Sequence, residues 1–154
     1  MNTEGFELEL KQFDSSLLLA EDSFSFHDYE ESLSRYKTAL TMAQALFRPV
    51  SEQVVSCMLR LADCYFELNH LDEAKHTYEE LLVTYAQIPE VDPEQVIAVL
   101  FKLARIADKK NDIAAADAAY YRTLKQAEAA NLPLVHSMFI AIAKPMQTCC
   151  NERT

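Results

Sequence analysis

Three Leu-Ala pairs recur at one spacing along this chain: Leu19-Ala20, Leu61-Ala62 and Leu103-Ala104, each 42 residues from the next. A repeat of this kind constrains the fold more than any local propensity does. Each copy is a supersecondary unit with an apolar face that only a neighbouring copy can bury, so the units must stack. The phase holds through each unit: Tyr29, Leu71 and Ile113 follow a polar turn, Ser32, Ala74 and Ala116 hold a small crossing position, and Tyr36, Tyr78 and Tyr120 come four residues later. Glu52-Gln53-Val54 recurs as Glu94-Gln95-Val96, and Pro49 shares its phase with Pro133.

The period inside each unit is helical. Apolar residues fall closer to a spacing of 3.6 than of 2, and a chain with a single Gly and five Pro in 154 residues is poor in turn formers. The spacing predicts helices over residues 2–23, 29–46, 50–68, 71–85, 93–110, 113–130 and 134–150. Asp28 is placed to cap the second by accepting from free backbone N–H groups, and Pro93 and Glu94 suit the first turn of the fifth. Pro145 stands where the fourth copy would need its Leu; it loses the bond to the carbonyl of Ala141, so the last helix should kink or end early and serve as a cap. The expected organisation is one domain, 1–154, with repeats at about 13–49, 50–91 and 92–132 and a cap at 133–150.

The most regular copy, residues 61–78, reads LADCYFELNHLDEAKHTY. Its Leu61, Ala62, Tyr65, Ala74 and Tyr78 fit the L-[GA]-x2-Y…A-x3-[FY] pattern. This resembles the tetratricopeptide repeat (TPR), over about residues 13 to 130. The usual unit is ~34 residues, and eight more add about one helical turn to each helix; similar 42-residue units occur in kinesin light chains and in spindle adaptors of the Pins type. The first copy departs from the pattern at Ser16 and Ser23. The resemblance implies an all-α fold, a right-handed superhelix of three antiparallel helix pairs (a TPR-like α-solenoid) with a C-terminal capping helix, about seven helices altogether.

Catalytic signatures are missing from the sequence. It has no HExxH, G-x-S-x-G, Walker loop or G-x-G-x-x-G, and one Gly can hardly build a phosphate-cradling turn. The expectation is no enzyme, no metal and no cofactor. His27 and His70 read as solvated turn residues, and Cys57 and Cys64 as small buried apolar residues. A formal charge of −10 argues against nucleic acid, which needs a basic footprint. No stretch approaches the ~20 apolar residues of a membrane span. With no basic, apolar leader at the start and no disulfide-type cysteine framework, the expected location is cytoplasmic.

The resemblance points to a groove lined by the first helix of each pair. By phase that groove would present Asp14, Leu17, Glu21 and Phe24; Leu59, Asp63, Phe66 and Glu67; and Phe101, Arg105, Asp108 and Lys109, with Lys102 beside them. Residues 1–100 carry 6 Lys or Arg against 19 Asp or Glu, whereas residues 101–130 carry 6 against 4. Lys102, Arg105 and Lys109 stand at i, i+3 and i+7 on one helix face, so the groove should run from acidic to basic. The implied function is a non-catalytic module that binds a peptide or helical segment of another protein. TPR domains that clamp C-terminal carboxylates of heat-shock proteins need Lys and Asn at phases held here by Leu17 and Glu21, which disfavours that partner class. Two other readings remain open: a chaperone or regulator of a secreted protein, and a structural protein that forms homodimers through Leu134, Phe139 and Ile140 of the last helix.

Overall fold

A computed structural model describes residues 3–132, and every regular element among them is a helix. In order these are α1 (Thr3–Ser25), α2 (Tyr29–Leu46), α3 (Glu52–Glu67), α4 (Leu71–Tyr85), α5 (Pro93–Lys109) and α6 (Ile113–Ala129). The predicted last helix, with Pro145 and the candidate self-association residues Leu134, Phe139 and Ile140, lies outside the described residues.

Side-chain caps set the starts of four helices. Asp28, Asp92 and Asp112 accept backbone N–H bonds from Glu31, Glu94 and Ala115 at 3.3, 3.0 and 3.1 Å. Ser51 does the same for Val54 at 3.4 Å, so α3 begins at Glu52; Pro49 and Val50 stay in the turn, two residues short of the start that the sequence suggests. The ends share one device. His27, Asn69 and Asn111, spaced by the repeat, adopt the left-handed backbone region with φ near 60°, and Asn131 does so after α6. The next residue in each case donates five residues back, as Asp28 does to the Ser23 carbonyl and Asp112 to that of Ala107, which satisfies carbonyls the helix leaves open. Within a helical pair, one residue therefore closes the first helix and its neighbour caps the second. α4 is the exception: its capping position is His70, which makes no side-chain cap bond.

The chain divides into two compact units, Met1–Ile88 and Pro89–Thr154. In the first, α1 packs on α2, α2 on α3 and α3 on α4. Phe13, Ala39, Ala43, Val54 and Cys57 form one core cluster, and Ala20, Tyr36, Leu61 and Cys64 a second. Ser32 ties three helices together: its hydroxyl donates to the Ala20 carbonyl at 3.0 Å and accepts from the Cys64 thiol at 3.4 Å. In the second unit α5 packs on α6, with Ala104, Ala116 and Tyr120 buried at their crossing.

Equal phase does not mean equal burial. Leu61 is covered by α2 and is 8% exposed, whereas Leu19, its counterpart one repeat earlier, is 49% exposed. Among the described residues no helix precedes α1 to cover it.

Candidate functional site

In the first unit the face shared by α1 and α3 carries seven of the residues singled out by phase. Leu17, Glu21 and Phe24 sit at i, i+4 and i+7 of α1, and Leu59, Asp63, Phe66 and Glu67 follow the same spacing on α3. Their positions differ in depth. Leu17, Phe24 and Leu59 are half-buried and offer apolar surface, and Glu21 and Glu67 are exposed. Phe66 is 1% exposed; it belongs to the core and supports α3 from beneath, so it presents no side chain to a partner.

Asp63 is 8% exposed, yet it is well provided for. The buried Tyr78 hydroxyl of α4 donates to its Oδ1 at 2.5 Å, and Arg60 stands 4.0 Å from Oδ2. A buried carboxylate is tolerated only where hydrogen bonds and a countercharge replace water. The tyrosine repeat explains the pairing, because Glu21, Asp63 and Arg105 occupy one phase of the first helices and Tyr36, Tyr78 and Tyr120 one phase of the second. Burial pushes the Tyr36 hydroxyl well above the ordinary tyrosine range, with Arg60 acting against the shift and Glu21 adding to it. Burial raises Tyr120 as well; Asp108 adds to that shift and Arg105 opposes it.

Arg60 was not among the candidates, although its place three residues before Asp63 was the available signal. Its guanidinium lies 5.9 Å from the Phe24 ring centroid, in cation–π range, and so joins α1 to α3. The Phe24 ring also meets Tyr29 edge-on at 5.2 Å. The α1/α3 face is therefore an apolar strip of Leu17, Phe24 and Leu59 bordered by carboxylates and crossed by one cation.

In the second unit Phe101 is half-buried and packs against the Tyr120 ring at 5.8 Å. Lys102 and Arg105 are half-buried and Lys109 is exposed, at i, i+3 and i+7 of α5. Among the described residues no group of three His, Cys, Asp or Glu could hold a metal ion, and no helix is long and apolar enough to cross a membrane. Cys57 and Cys64 are buried free thiols; burial, with help from Glu21, pushes Cys57 up to about 11.

Residues 12–87 match the tetratricopeptide-repeat family model. No curated protein matches the chain in sequence. Solved structures do match in fold. BtubC (BKLC) from P. vanneervenii is 19% identical with a TM-score of 0.74, over 89% of this chain and 56% of that one. A kinesin light chain with nearly identical TPR-like repeats from Podospora anserina is 16% identical with a TM-score of 0.68, over 88% and 66%. A Rap protein, solved in complex with competence and sporulation factor, is 18% identical with a TM-score of 0.63, over 80% and 35%. The chain thus spans little more than half of the first of these proteins and about a third of the last.

Proposed function

We propose, from the premise that this chain belongs to the tetratricopeptide-repeat superfamily, that it is a non-catalytic interaction module that binds a peptide or helical segment of another protein on its α1/α3 face. One observation carries the reading: Leu17, Phe24 and Leu59 each keep part of their apolar surface open, while Leu17 and Phe24 are at the same time held in place by packing against the core. Surface apolar side chains on a rigid scaffold cost little entropy to desolvate and order, which is what a binding face requires. Glu21 and Glu67, exposed beside the strip, favour a segment with lysine or arginine next to its apolar residues. Lys102, Arg105 and Lys109, on α5 of the second unit, would by themselves favour an acidic stretch or a free carboxylate. The Rap structure, with its bound factor, supports the choice of class and not of partner.

The test starts with affinity capture from the source cell and mass spectrometry, followed by affinity measurements on the purified partner. Phe24→Ala and Glu21→Gln together should weaken binding at least tenfold while circular dichroism stays unchanged. Unaltered affinity in the first variant would place the site away from the α1/α3 face.

A further inference from the structure

The first unit has a second concavity, and α1 takes no part in it. A cleft of about 560 Å³ opens between α2 and α4 over the N-terminal half of α3, lined chiefly by Pro49, Val54, Met58, Glu80, Val83 and Thr84. That volume lies within the range of clefts that hold a ligand or an anchoring side chain. Buried Val54 and half-buried Met58 make an apolar floor, and the unbranched thioether of Met58 can adapt to different shapes.

Val83 is one of several exposed large apolar residues among those described, and the one of them that lines this cleft. It is 63% exposed at the wall of the cleft. Its counterparts one repeat before and after are Thr41 and Lys125, both exposed. The architecture therefore asks for nothing apolar at this phase, and the valine extends the apolar floor of the cleft out to the rim. Glu80, on the same wall one turn earlier, is exposed and turned toward His76 at 3.4 Å. The unit around it carries 16 Asp or Glu against 6 Lys or Arg. Apolar floor, apolar rim and a carboxylate in an acidic field together select for a cation attached to an apolar group.

We propose that this cleft is a second docking site, for a leucine or similar apolar side chain of a partner segment that carries a lysine or arginine within reach of Glu80. It is separate from the α1/α3 face and does not depend on that face being used.

The probes are two acetylated, amidated peptides, Lys-Ala-Leu-Ala-Ala-Leu-Lys and the same sequence with Glu for Lys. They are titrated into the full chain carrying ¹³C-labelled Met and Val methyl groups. The lysine peptide should shift the Met58 and Val83 signals saturably, and the glutamate peptide should bind at least tenfold more weakly. Val83→Lys places at an exposed position the residue that the third repeat already holds there, so folding should be unaffected; it should remove the Met58 shift. Glu80→Gln should narrow the difference between the two peptides at least threefold, and Glu73→Gln, a carboxylate away from the cleft, should leave it unchanged. Equal binding of both peptides to the unaltered chain would overturn the proposal, as would a Met58 shift that survives Val83→Lys. It would also fall if Met58 and Val83 shifted with protein concentration alone, which would give the cleft to a second copy of the chain.

Discussion

Tyr78→Phe removes one oxygen atom and should be among the costly conservative changes in this chain. The Tyr78 ring is fully buried, and phenylalanine keeps its packing, so no cavity is created. What is lost is the donor to Asp63, a bond of 2.5 Å to a carboxylate that is itself 8% exposed. Hydrogen bonds to charged groups contribute about 1.5–3 kcal/mol, and the Arg60 guanidinium, 4.0 Å from the other carboxylate oxygen, is too far to replace a short one. The variant should therefore be about 2 kcal/mol less stable at pH 7. Urea unfolding followed by circular dichroism reads this directly, as a lowered midpoint with an unchanged slope. Asp63→Asn and the double variant complete a cycle: if the bond is charge-assisted, the two single losses should exceed the double by more than about 1 kcal/mol. A loss below ~0.5 kcal/mol for Tyr78→Phe, or additive single losses, would show that the carboxylate is satisfied without the tyrosine and that the argument about Asp63 is wrong.

Other expectations follow from local features. His70→Asp gives α4 the cap that Asp28 and Asp112 give α2 and α6; with Asp72 and Glu73 already in that first turn, the gain should be at the low end of the ~0.5–2 kcal/mol capping range, seen as a raised thermal midpoint, and His70→Asn should separate capping from charge. Phe66→Ala should cost about 3–5 kcal/mol by chemical denaturation, as expected for a core aromatic and not for a groove residue. Cys57 and Cys64 should resist iodoacetamide at pH 8 until urea unfolds the first unit. Because burial raises Cys57 from its ordinary value near 9 to about 11, the unfolded chain loses that proton first as pH rises. The contribution of this group should then be flat below pH 9 and fall between 9 and 11 by up to about 1.4 kcal/mol per unit, and Cys57→Val should make the alkaline fall shallower without removing the part due to Cys64 and the buried tyrosines.

The helices were legible because the repeat supplied each assignment more than once. Tyr36, Tyr78 and Tyr120 all lie in the core, as a shared phase requires. Phase was a poorer guide to depth. Phe66 and Leu59 both fall near the expected groove line, and a shift of less than one residue around α3 decides that the first is interior and the second is not. Leu19 shows the other limit: its environment depends on a neighbour, and a residue's own sequence position carries no information about whether that neighbour exists. Arg60 was half legible: its i, i+3 place before Asp63 could be read from the sequence, but its contact with the Phe24 ring of α1 could not.

The phase shared by Glu21, Asp63 and Arg105 holds an acid, a hydrogen-bonded acid and a base, each paired by repeat position with a buried tyrosine that does not vary. The tyrosine supplies the architecture and tolerates either sign above it. At the exposed Glu21 one changed letter would alter the charge on display and leave the helices as they are, whereas the same change at Asp63 would reach into the core through Tyr78.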